Sequence, residues 1–107
     1  MASSIEFVEF VCEQLSDLPG ISYKKMFGEF GIYCEGKLFG VICDNQLFVK
    51  ITPQGQSLWP HCPQVPPYEG AKPYFLIEDV EKSQALLAFI NATLAALPMP
   101  APKRGRG

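Results

Sequence analysis

Apolar positions recur at helical spacing near both ends of the chain and alternate with polar ones between. Ile5, Val8, Val11, Cys12 and Leu15 repeat every three to four residues, the stripe of an amphipathic helix. Ser3 or Ser4 can cap it, and Ser3-x-x-Glu6 has the spacing of a capping box. Pro19-Gly20 ends the segment. From Ile21 the period shortens. Ile21–Phe27, Phe30–Cys34, Leu38–Cys43 and Gln46–Ile51 read as strands. Between them, Glu35-Gly36-Lys37 and Asp44-Asn45 have turn chemistry, Gly36 being free to take positive φ. Connections this short imply antiparallel neighbours in a meander.

Thr52-Pro53 reads as N-cap and first residue of a short helix through about Trp59. Pro60, Pro63, Pro66 and Pro67 predict an irregular loop. Pro73–Glu78 is the expected last strand. Asp79 is expected to cap a final helix with the apolar face Val80, Leu86, Leu87, Ile90, Leu94 and Leu97, which Pro98 stops. The predicted fold class is α+β: an antiparallel β-meander with N- and C-terminal helices and a short middle helix. Residues 1–98 form one domain, and the Pro/Gly/basic stretch 99–107 is an expected disordered tail.

Composition adds limits. At 107 residues, 48% hydrophobic and 19% charged, the chain can bury a core without staples. No apolar run reaches the ~18–20 residues that cross a membrane, and the N-terminus lacks the basic region of a secretory signal. Cys12, Cys34, Cys43 and Cys62 form no C-x-x-C pair, so reduced thiols in a cytoplasmic protein are expected rather than a zinc site. Lys103, Arg104 and Arg106 lie in the tail, which leaves six basic against eleven acidic residues through Leu97. A nucleic-acid-binding domain normally has the reverse balance.

Candidate chemistry is sparse. Gly28-x-x-Gly31 has neither the spacing nor the strand–helix context of a phosphate loop. Its interior, Glu29-Phe30, lacks the basic residues of an RNA-clamping loop. His61-Cys62 are adjacent, which makes nucleophile–base geometry difficult. No catalytic residue, metal or cofactor is predicted. Lys24, Lys25, Lys37 and Lys50, with Tyr23, Tyr33 and Phe48, offer a basic stacking surface for single strands, aided by the tail; solvated strand positions explain the same lysines. At helical spacing Glu6, Glu9, Glu13 and Asp17 share one face, with Phe10 beside them. Solvation accounts for such a face; a partner surface anchored by Phe10, Glu13 and Asp17 is the sharper alternative.

The strongest signal is the block Met26-Phe27-Gly28-x-x-Gly31-Ile32-Tyr33, then Gly36-Lys37-Leu38-Phe39-Gly40, then Asp44-x-x-Leu47-Phe48-Val49-Lys50. It resembles the TfoX/Sxy N-terminal domain family, with weaker similarity through Pro67-Tyr68 and Pro73-Tyr74 to the last helix. Glu29 stands where the family often has a second glycine. The resemblance implies a secretion-chaperone-like fold and a small bacterial protein that often forms a homodimer. It also implies a role like that of competence regulators, which assist transcription with the cyclic-AMP receptor protein. Those regulators carry a second, C-terminal domain; only the first is expected here. The leading expectation is a non-enzymatic protein-interaction module whose contact face is an apolar sheet surface or the first helix. The alternatives are a nucleic-acid-binding accessory protein and a small-ligand-binding protein centred on residues 59–68. In the block itself, Gly28 and Gly31 are expected to bend the strand so that Phe27, Phe30 and Tyr33 pack on the helices. Phe39, Phe48 and Phe75 are expected to complete that core.

Overall fold

The computed structural model describes residues 4–26 and 29–97. Ser3, Phe27, Gly28, Pro98, the tail and the side chain of Met26 lie outside the described residues. The first helix, α1 (Ile5–Gln14), starts at Ser4, whose hydroxyl accepts the Phe7 N–H. The cap is therefore Ser4, three residues before Phe7, and not the Ser3/Glu6 box. Val8, Val11 and Leu15 are buried as the stripe predicts. Ile5 is 41% exposed, and Phe7 instead packs against the core.

Four strands follow: β1 (Ile21–Met26), β2 (Glu29–Cys34), β3 (Lys37–Cys43) and β4 (Gln46–Val49). They pair as an antiparallel meander, as predicted. Glu35 and Gly36 take φ of 50° and 84°, and Asp44 and Asn45 take 54° and 57°. Positive φ at both central positions matches the strands' twist in a two-residue hairpin. α2 (Pro53–Leu58) begins at Thr52, whose hydroxyl accepts the Gly55 N–H at 3.0 Å.

The chain then departs from a meander. The proline-rich segment contains a short strand, β5 (Gln64–Val65), and β6 (Tyr74–Ile77) inserts between it and β4. The sheet order is β1-β2-β3-β4-β6-β5, with every neighbouring pair antiparallel. The last helix, α3 (Gln84–Ala96), is capped by Ser83, not Asp79. Residues before Ser83 are held in other contacts: the Lys82 N–H donates to Gln14 Oε1 at 2.8 Å, and the Asp79 carboxylate accepts the Glu81 N–H at 3.1 Å. Val80 still packs against the core, but from an irregular segment ahead of the helix.

Both terminal helices pack on one face of the sheet. The core there joins Val8, Val11 and Leu15 of α1 to Phe30 and Ile32, Phe39 and Ile42, Leu47 and Val49, Phe75 and Ile77, and Leu86, Phe89 and Ile90 of α3. Phe89 is its hub: Trp59 stacks on it at 4.1 Å, and Phe75 meets it edge-on at 5.2 Å. A smaller cluster, Val41, Cys43 and Phe48 with Val65, Tyr74 and Leu76, occupies the opposite face and includes no helical residue.

The two faces are reconciled by an irregularity in β3. Gly40 pairs with Ile32 and Leu38 with Tyr33, leaving Phe39 as an extra residue. Phe39 points into the helix-side core, while Tyr33 and Phe48 lie on the other face. The expectation that Tyr33 and Phe48 join the helical core is thus corrected. The bulge falls at Ile32/Tyr33, beside Gly31, where a one-residue change of register exchanges faces. Gly40 is required next to it, since a Cβ there would overlap the Phe48 carbonyl oxygen. Gly40→Ala is expected to cost about 2 kcal/mol through forced strand separation. The measurement is the urea midpoint followed by Trp59 fluorescence; an unchanged midpoint would contradict this account of β3.

Candidate functional site

The open face of the sheet carries a concavity. Unbroken apolar runs in β3 and β4 give it side chains as well as the helical face, so Leu38, Val41, Cys43 and Phe48 project away from the helices. The segment between β5 and β6 returns across this face. Pro67 and Tyr68 wall a cavity of about 480 Å³, completed by Leu38, Val41, Cys43, Tyr74, Glu29 and Phe30. Tyr68 stands at the rim, 62% exposed. The lining is apolar except for the carboxylate, the thiol and the phenols. Sequence reasoning raised an apolar sheet surface and, separately, a ligand loop at residues 59–68 that contains Pro67 and Tyr68, but did not join the two. The available signal was β3 itself, apolar from Leu38 to Cys43, as a strand buried on both faces is.

The thiols are poorly suited to nucleophilic work. Burial and the Glu29 and Asp44 carboxylates push the Cys43 thiol up to about 11. Burial and Glu9 raise Cys12, and burial and Glu78 raise Cys62. Burial and Glu35 raise Cys34 against the opposing effect of Lys37. Cys34 donates to the Pro19 carbonyl at 2.9 Å, and Cys62 donates to that of Leu76 at 3.4 Å. His61 is exposed and borders a shallow groove with Trp59, Cys62, Glu78 and Asp79. Among the described residues, no three His, Cys, Asp or Glu side chains are grouped to hold a metal ion.

The predicted interaction residues divide. Phe10 is 38% exposed on α1, and Glu13 is exposed on the same helix. Asp17 lies beyond the helix end at Gln14 and pairs with Lys82 at 3.0 Å. Both partners are about half exposed, so this pair adds little to stability. It does join the turn after α1 to the approach to α3.

The sheet lysines do not form one surface. Lys24 lies 5.7 Å from the Tyr33 ring centroid, on the open face. Lys25 is opposite Phe30 in the register and is exposed. Lys37 donates to the Leu94 carbonyl at 2.7 Å and so closes the C-terminal turn of α3. Phe48 is buried and offers no stacking surface. Tyr23 packs edge-on against Phe30 at 5.8 Å. Lys50 is half-buried beside a second cavity, and its N–H donates to the Phe39 carbonyl at 2.9 Å. The block residues with described side chains thus serve turn, bulge, core and helix cap: Gly31, Tyr33, Gly36, Lys37 and Phe39.

The model of the TfoX N-terminal domain matches residues 13–97. The chain belongs to that family. It is also 32% identical to an uncharacterized 12.7 kDa protein in the trpE 5′ region of Spirochaeta aurantia, over 99% of this chain and 93% of that protein. Among the described residues, no helix is long and apolar enough to cross a membrane.

Two outcomes are expected. Lys37→Met removes the tie to Leu94 and should cost about 1 kcal/mol. Hydrogen exchange should quicken at the Leu97 N–H, which bonds to the Thr93 carbonyl; an unchanged rate would leave the cap without effect. The second concerns pH. An unfolded cysteine titrates near about 8.5, whereas folded Cys43 holds its proton to about 11. Its contribution to stability is therefore complete below the unfolded value and is lost as pH rises toward the folded one. Cys43→Ala should flatten the fall in urea midpoint across that window, measured beside the parent chain.

Proposed function

We propose that this chain is a non-enzymatic, homodimeric protein-interaction module that acts in the cytoplasm in transcription regulation. One observation carries the reading: an apolar sheet face against which, among the described residues, no helix packs, with a concavity rimmed by the exposed Tyr68. Aromatic and aliphatic side chains around a pocket are the usual anchors of a protein contact. The raised thiol pKa values favour binding over covalent catalysis. Membership in the TfoX N-terminal domain family, associated with competence regulation, supports the regulatory half of the proposal. Phe10, partly exposed on α1, is a secondary anchor.

Sedimentation velocity at micromolar concentration tests the assembly. A dimer is expected for the parent chain and a monomer for Leu38→Asp combined with Tyr68→Asp. Phe10→Ala should leave the dimer intact and weaken capture of a partner from the native host. A parent chain that sediments as a monomer and captures no partner would overturn the proposal.

A further inference from the structure

A second cavity, of about 640 Å³, lies where the end of β4, the segment before β6 and the end of α3 meet. Lys50 and Lys72 line it together with Tyr68 and Tyr74, over a floor that includes Ile51 and Leu97. Lys24 has an aromatic ring, Lys37 a helix carbonyl and Lys82 a carboxylate. Among the described residues, neither Lys50 nor Lys72 has an ion pair or a side-chain hydrogen bond. Among the described residues Lys25, exposed on β1, likewise has no ion pair or side-chain hydrogen bond; what sets Lys50 and Lys72 apart is that they share one concavity. Two unpartnered cations at the wall of one concavity repel each other, and a bound anion reverses the sign of that interaction. Tyr68 and Tyr74 supply ring faces and phenol hydroxyls beside them, and the apolar floor favours a ligand with an organic body over a bare inorganic ion.

We propose that this cavity binds a ring-bearing organic anion of about mononucleotide size, with its phosphate or carboxylate between Lys50 and Lys72 and its ring against Tyr68. The cavity shares Tyr68 and Tyr74 with the open-face concavity, whereas Lys50 and Lys72 belong to it alone, so the double lysine substitution tests the ligand apart from assembly. The open-face cavity is walled by Glu29 and holds neither lysine, so it does not suit such a ligand.

The test uses the full chain with three probes: adenosine 5′-monophosphate, indole-3-carboxylate and uncharged adenosine. Melting temperature and isothermal titration are the readouts. At least one of the two anions should raise the melting temperature, while adenosine leaves it unchanged. A response to the nucleotide alone assigns phosphate, and a response to the carboxylate alone assigns carboxylate. Lys50→Gln combined with Lys72→Gln should weaken the binding at least tenfold. Both side chains reach solvent, and the variant's own melting curve shows whether it folds. Tyr68→Ala should weaken the ring contribution while leaving some anion dependence. No response to either anion at millimolar concentration would overturn the proposal, as would binding that survives the double substitution. Binding of a single-stranded oligonucleotide without either small anion would also overturn it, in favour of a nucleic-acid surface. Binding that appears only after residues 98–107 are removed would overturn it for the full chain.

Discussion

The extra residue in β3 sets the arrangement of nearly everything else. Backbone pairing on both sides of it is regular, from Phe30 opposite Ile42 to Cys34 opposite Lys37. Between these pairs Phe39 is inserted, and the strand can keep its two neighbours only because Gly40 lets the Phe48 carbonyl approach. The Lys50 N–H then bonds to the Phe39 carbonyl, so pairing with the following chain continues past the distortion. One consequence is a phenylalanine in the middle of the helical core. The other is Leu38 on the opposite face, where the open-side cavity begins. A regular strand could not place Phe39 and Ile42 on one face, because side chains alternate with period two.

Much of this architecture is legible in the sequence because its information is local. Turn residues at 35–37 and 44–45, strand alternation, and the Thr52-Pro53 cap each act over a few residues, and each appears in the structure. The errors arise where distant contacts decide. Asp79 and Ser83 are both acceptable caps by chemistry, and the choice falls to Ser83 because Gln14 and Asp17 of the first-helix region hold Lys82. Gln64-Val65 is too short to show a period, and becomes a strand only through Phe75 and Tyr74 opposite it. The faces of Tyr33 and Phe48 depend on the position of the bulge, which no residue pattern marks unambiguously.

The candidate sites follow the same division. The acidic face of α1 and the exposure of Phe10 follow from helical spacing alone. The open-face cavity brings β3 against Pro67 and Tyr68, and the lysine cavity brings the end of β4 against Lys72 and Leu97. Neither grouping has a spacing, because its members come from separate segments. The density of glycines and aromatics in the middle of the chain therefore points to architecture. The surfaces able to carry function lie around it, in the less regular segment between α2 and β6.

Among the described residues, the tight turns at Glu35-Gly36 and Asp44-Asn45 also hold a helix. Beside the first, the Glu35 N–H donates to the Gly20 carbonyl and the Lys37 ammonium to that of Leu94. In the second, Asn45 accepts the Ser4 N–H through its side-chain oxygen at 2.8 Å. Hairpin tips are ordinarily the places where a chain tolerates added sequence. In this protein a loop graft or internal tag at either tip would detach a helix end from the sheet. The polar approach to β6 around Glu69 and Gly70 is the more permissive site, since Gly70 faces open space. That inversion makes the irregular loop the exchangeable part of the fold and the hairpin tips its fasteners.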